Sequence, residues 1–448
     1  MIGADQAHAR ARSLELDSGR TGRTLRTVYV ASALALAGNQ MFTLLLFYVL
    51  LPYQVGLINW GTATGALVFY VLEGGVETAV VIIAKQQAVT LRTMVWVVGG
   101  FRLAAAAIAF AVWAVAVLAH WLKPLEADVL LLVGIGSIIR IFQTPFSAAL
   151  QVRDRQATVA VLSMVPVGVR LGLLSLLWAI GGLRIASVLI ASVVGDVAGL
   201  LAIFLAVRHL SDPAGELMSM RQLTRGISRA APLLTASQAI LMAQSRMDWV
   251  LVAAFASYAA LANYAIANKA VELLVLGGGL FGRTALPWFV AGWEKRNLLL
   301  TLRWLMGIVT VGSFGLALLG WPVVHLVFKE KYAGAAPIIP ILAVLGPPLV
   351  MFQVVQFAAL ARKHTLDVVF AGGVAVFVQL LVDILTIPSL GILGAALGMC
   401  AFAGLSFPIM LLLTWRRGTI ASRPALEIVA GAIALPVAYL VWIGAAHL

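Results

Sequence analysis

The chain has 448 residues, 62% hydrophobic and 11% charged, with a formal net charge of +13. Soluble domains are nearer a quarter charged, so this composition excludes a soluble domain on a single anchor and indicates a membrane protein throughout. The lone Cys400 excludes an internal disulfide, and the basic residues are sorted into alternate loops, which marks membrane topology rather than nucleic-acid binding.

A hydrophilic tail, 1–26, precedes the first apolar run, and no cleavable leader is expected. A crossing needs about 20 apolar residues. The spans then read 27–51, 57–81, 95–119, 127–149, 157–180, 185–207, 231–254, 258–282, 298–320, 336–360, 365–387, 391–414 and 425–446. With a cytoplasmic N-terminus, about 21 Lys and Arg fall in cytoplasmic segments and about 4 in outer loops. A missed helix would invert that sorting downstream, so the asymmetry supports all thirteen spans.

The second span carries Glu73 and Glu77, one turn apart on one face. Paired carboxylates can hold a proton near neutral pH, so they are candidates for proton or sodium coupling; solvation of Glu77 and local capping by Glu73 is the structural alternative. Arg102 and Arg303 lie near cytoplasmic helix ends, where a long side chain can snorkel to water. Four cations sit deeper: Arg140, Arg170, Arg246 and Lys269. Each costs about 2.5–3.5 kcal/mol at the bilayer centre, which makes it a functional-site hypothesis. Arginine suits a pyrophosphate because its planar fork gives bidentate bonds and keeps its charge. Arg170 has an alternative partner in Asp196 of the sixth span. Arg246 and Asp248 are two apart and share no helix face, which leaves Asp248 a third candidate for ion coupling; Lys269 and Glu272, three apart, can pair locally. Asp383 is expected near the outer rim, in contact with water.

The chain divides into a tail (1–26), a first lobe (27–207), a cytoplasmic loop (208–230), a second lobe (231–414) and an extra helix (415–448). Ala148-Ala149-Leu150 with Arg153 recurs as Ala358-Ala359-Leu360 with Arg362, and Asn59-Trp60 as Asn263-Tyr264. Gly74-Gly75 at the end of the second span likewise recurs as Gly278-Gly279 in the eighth. Ordered similarities at a near-constant offset indicate duplication, and six helices per half make the repeats parallel. The fold class expected is therefore all-α and polytopic: two six-helix lobes related by a pseudo-two-fold along the membrane normal, plus one C-terminal helix. No Gly-rich phosphate loop, Cys/His metal spacing or nucleophile elbow occurs, so neither enzyme chemistry nor a metal or other cofactor is expected.

Several segments resemble a known group. Leu51-Pro52-Tyr53-Gln54-Val55-Gly56 follows the first span; Met247-Asp248-Trp249 and Tyr264-Ala265-Ile266-Ala267 lie in the seventh and eighth. Ala285-Leu286-Pro287, Val327-Phe328-Lys329-Glu330-Lys331-Tyr332-Ala333 and Ile387-Pro388-Ser389-Leu390-Gly391-Ile392-Leu393-Gly394-Ala395-Ala396 follow in order. The set is similar to the polysaccharide transporter branch of the multidrug/oligosaccharidyl-lipid/polysaccharide exporter superfamily. Asp383 where that branch often has Asn, Lys329 where it often has Gly, and thirteen spans are departures. The resemblance implies an inner-membrane flippase for an undecaprenyl-diphosphate-linked oligosaccharide, working by alternating access. Its partners would be the lipid-linked oligosaccharide, membrane lipid, H+ or Na+, and a polysaccharide polymerase or glycosyltransferases. A cation-coupled multidrug exporter and a peptidoglycan-precursor flippase are the alternatives. The acids outnumber the central bases, so a flippase requires that several acids point away from the transport path.

Overall fold

The computed structural model describes residues 27–28, 30–86, 89–153, 155–208, 210, 218–290, 295–362 and 364–417. The expected thirteenth span, 425–446, and the tail lie outside the described residues. The side chains of Glu73 and Glu77 do too, although their backbone is helical.

Among the described residues the secondary structure is helical. The first lobe holds α1 (Val30–Val49), α2 (Pro52–Gln86), α3 (Leu91–Leu118), α4 (Pro124–Val152), α5 (Gln156–Leu162), α6 (Met164–Ala179) and α7 (Ile185–Val207). The second holds α8 (Met220–Phe255), α9 (Tyr258–Val290), α10 (Lys295–Phe328), a 3-10 turn (Lys329–Ala335), α11 (Ile338–Val344), α12 (Gly346–Ala361), α13 (Thr365–Leu390) and α14 (Ile392–Arg416). Eight candidate membrane spans are long and apolar enough to cross a bilayer among the described residues. A helix satisfies its own backbone, which a chain in hydrocarbon must do. The fold is a polytopic all-α membrane fold.

The expected fifth span is broken at Ser163 into α5 and α6, and the tenth at Leu345 into α11 and α12. Pro166 cannot donate to the carbonyl four residues back, and Pro347-Pro348 removes two donors at the start of α12. The loop expected at 208–230 is shorter than the sequence suggested, because α8 begins at Met220. Ser219 Oγ accepts from Gln222 N and the Gln222 side chain accepts from Ser219 N, a capping box.

The lobes meet chiefly where α2 runs along α8 and α9. At the end carrying the α1–α2 turn they are tightly joined. Gly56 lies so close to the backbone of Tyr258 that a Cβ would stand 1.7 Å from its carbonyl oxygen. Tyr258 donates its hydroxyl to Glu126 Oε1 at 2.8 Å, linking α9 to the start of α4. Lys331 Nζ reaches the carbonyls of Phe47 (3.2 Å) and Tyr48 (3.1 Å) at the end of α1. The core is densest at α11–α12, where 89% of the spanning window is buried; in α3 the share is 22%. Outward faces of α3 and α10 carry Trp96, Leu103, Trp304, Ile308 and Leu318 exposed, as lipid contact requires.

Candidate functional site

The deep cations fall into two clusters, one in each lobe. In the first lobe α7 carries Asp196 between α4 and α6. A Cβ at Gly195 would stand 2.5 Å from Arg170 Cγ and 2.8 Å from the Pro166 carbonyl, so only glycine lets α7 come this close to α6. Asp196 then accepts Arg170 Nη2 on Oδ1, and Arg140 Nε stands 3.7 Å from its Oδ2. Gln143 Nε2 donates to the Asp196 carbonyl at 2.8 Å and fixes the same turn to α4. Arg140 also donates to Ser137 Oγ at 3.3 Å and to the Gly136 carbonyl at 3.4 Å. The cluster is asymmetric: the side chain of Arg140 is 51% exposed, that of Arg170 15% and that of Asp196 4%.

In the second lobe Glu272 is shared by Lys269, one turn earlier on α9, and by Arg246 of α8, whose Nη2 is 3.7 Å from Oε1. Gln40 of α1 also hydrogen-bonds Glu272, which places this cluster at the junction of the lobes. The Arg246 guanidinium lies 4.5 Å over the ring of buried Trp249, a cation–π contact that fixes its direction. In each cluster one carboxylate serves two cations, so each keeps a net positive charge.

Asp248 belongs to neither cluster. It is buried in the second lobe, where it accepts the Tyr264 hydroxyl at 2.5 Å and the Trp249 amide at 2.8 Å. Asp383 is also fully buried, so it is not in contact with water as expected. Its helix α13 turns Ala371, Ala375, Gln379, Asp383 and Ile387 inward at four-residue steps, and a Cβ on Gly398 of α14 would stand 1.9 Å from Asp383 Oδ1. Neither Asp383 oxygen accepts a well-formed hydrogen bond. Asp248, Tyr264, Gln379 and Asp383 thus make an acidic centre inside the second lobe. The sequence reading missed Tyr264 and Gln379, although Gln379 and Asp383 share the inward face by their spacing alone. Arg102 is 1% exposed within α3, so it does not snorkel as expected. No group of three or more His, Cys, Asp or Glu that could hold a metal occurs among the described residues.

No protein-family model matches the chain, and neither does any curated protein. Solved structures do. The lipid II flippase MurJ, in an inward closed conformation, superposes with a TM-score of 0.70 at 14% identity, over 93% of this chain and 92% of that one. A Vibrio cholerae MATE transporter gives 0.63 at 12% identity, over 91% of this chain and 99% of that one. An inward-facing multidrug resistance MATE family transporter of the MOP superfamily gives 0.62 at 11% identity, over 87% and 94%. At these identities the likeness concerns the fold, and each of these neighbours is a transporter: the chain shares the fold of these solved membrane transporters.

Proposed function

We propose that the chain is a flippase. It carries an undecaprenyl-diphosphate-linked oligosaccharide across the cytoplasmic membrane by alternating access, with its N-terminus in the cytoplasm. The observation that supports this reading is the state of the acids. Asp196 is sealed behind Arg140 and Arg170, Glu272 is held by Lys269 and Arg246, and Asp248 and Asp383 face the interior of their own lobe. The most exposed deep charge among these groups is the Arg140 guanidinium, which fits a diphosphate rather than a cationic drug. Arg140 and Arg246 present the substrate-binding charge, while Arg170 and Lys269 hold the acids that orient them.

The acidic centre supplies coupling. A buried carboxylate with no cation beside it is costly to keep charged. Asp383, buried near Asp248 with Gln379 as its polar neighbour, suits an H+ or Na+ that binds and leaves as the lobes rock. A peptidoglycan precursor is also carried on a polyprenyl diphosphate, and the likeness to MurJ favours it as the second reading. Reconstituted transport of a fluorescent undecaprenyl-diphosphate glycan tests the assignment. Arg140→Ala is expected to lower the rate by about a hundredfold at unchanged protein yield, and Arg140→Lys to lower it less, because a point charge loses the bidentate geometry. Full transport by the Ala variant removes Arg140 from the site.

A further inference from the structure

The first turns of α8 carry Arg221, Arg225 and Arg229 at four-residue steps, all exposed. On the opposite side Leu223 and Ile227 are fully buried against Val80 and Ala84 of α2. None of the three arginines has an ion-pair partner among the described residues. The whole of α8 contains a single acid, the buried Asp248. Cations at a helix N-terminus oppose the helix dipole and weaken the helix, so helix stability does not account for them.

The stripe is continuous with the cluster at the lobe junction. Read upward from Arg225 at three- and four-residue steps, the same face carries Ser228, Pro232, Thr235, Ala239 and Ala243, and then Arg246. Every residue between is small, uncharged and exposed or half-buried. The rise from Arg229 to Arg246 is about 25 Å at 1.5 Å per residue, close to the depth from a headgroup layer to the inside of a bilayer.

We propose that the Arg221–Arg225–Arg229 stripe is the entry site for the lipid substrate: it captures the diphosphate headgroup at the membrane surface and passes it along this face of α8 to Arg246. The assignment rests on the flippase reading and adds where the substrate first binds. A stripe of this kind acts on encounter, so it raises the association rate and makes it salt-dependent, while the deep cluster sets dissociation.

The test uses the full-length protein in phosphatidylcholine nanodiscs with farnesyl diphosphate as the probe, followed by stopped-flow tryptophan fluorescence. The triple variant R221Q/R225Q/R229Q is expected to lose about tenfold in association rate at low salt, with the dissociation rate unchanged. The corresponding triple-lysine variant is expected to keep the rate, which separates charge from any folding defect. Arg246→Gln is expected to raise the dissociation rate instead. A wild-type association rate in the triple-glutamine variant, with Arg246→Gln still defective, overturns the entry site and leaves the flippase reading standing. Absence of farnesyl diphosphate binding by the unaltered protein overturns both. If the triple variant loses only its retention on phosphatidylglycerol vesicles, the stripe serves bulk anionic lipid and the entry site is overturned.

Discussion

Asp196 shows what a buried carboxylate does in this protein. With 4% of its side chain exposed, it is neutralised by Arg170 and assisted by Arg140. Removing one partner of a buried ion pair leaves an uncompensated charge, which costs about 3–5 kcal/mol. Asp196→Ala should therefore lower the thermal midpoint in detergent strongly. The double change Arg170→Met with Asp196→Leu should recover most of it, since an apolar pair of similar volume is often as stable. Arg140→Ala should hardly move the midpoint, because that side chain is half exposed and stands 3.7 Å from the carboxylate. If Arg140→Ala unfolds the protein as Asp196→Ala does, the division between a presented and a structural arginine is wrong. Asp383 gives a second residue-scale prediction. Gly398→Ala would drive a methyl group into its carboxylate, and overpacking of that kind costs about 1–3 kcal/mol. A midpoint unchanged by Gly398→Ala would show that α13 and α14 do not pack as closely as described. The Lys269–Glu272 pair was legible in its three-residue spacing, whereas Asp196 stood only as an alternative partner for Arg170, and the sharing of each carboxylate with a second cation was not foreseen. Nor was the burial of Asp383. It depends on Gly398 facing α13, and a glycine in an apolar run does not reveal which neighbour it admits.

Element existence was the most legible part: a helix or a broken pair of helices lies at each expected span up to 414, and eight of these are long and apolar enough to cross a membrane. Breaks within elements were not legible. Pro145, Pro232, Pro322, Pro388 and Pro408 lie inside unbroken helices, whereas Pro166 and Pro347-Pro348 accompany breaks. Proline frees a carbonyl in both cases, and neighbouring helices decide whether the helix continues. The start of α8 was missed for a different reason. Its first turns are arginine-rich and fail a hydropathy criterion, yet Ser219 and Gln222 carried the capping signature. Ser219→Ala should cost about 1 kcal/mol locally. Amide exchange over 220–227 should then accelerate about fivefold, with transport little changed. Unaltered exchange would mean that packing of Leu223 and Ile227 on α2, rather than the cap, sets where the helix begins.

At the scale of the whole molecule, two lobes joined along α2, α8 and α9 suit a rocking motion, and the α1–α2 end is shut by Gly56, Tyr258, Glu126 and Lys331. Gly56→Ala should push α2 from α9 and favour opening at that end. A cysteine placed at Tyr53 should then react faster with a membrane-impermeant maleimide than in a Gly56 background; equal labelling rates would show that this contact does not hold the end shut. The sign of the transported charge is the central claim. It is tested most directly in proteoliposomes of the unaltered protein offered two substrates separately, a fluorescent undecaprenyl-diphosphate glycan and ethidium. Movement of the diphosphate lipid and none of ethidium is the predicted result. Movement of ethidium without the lipid would contradict it and make the protein an exporter of cations.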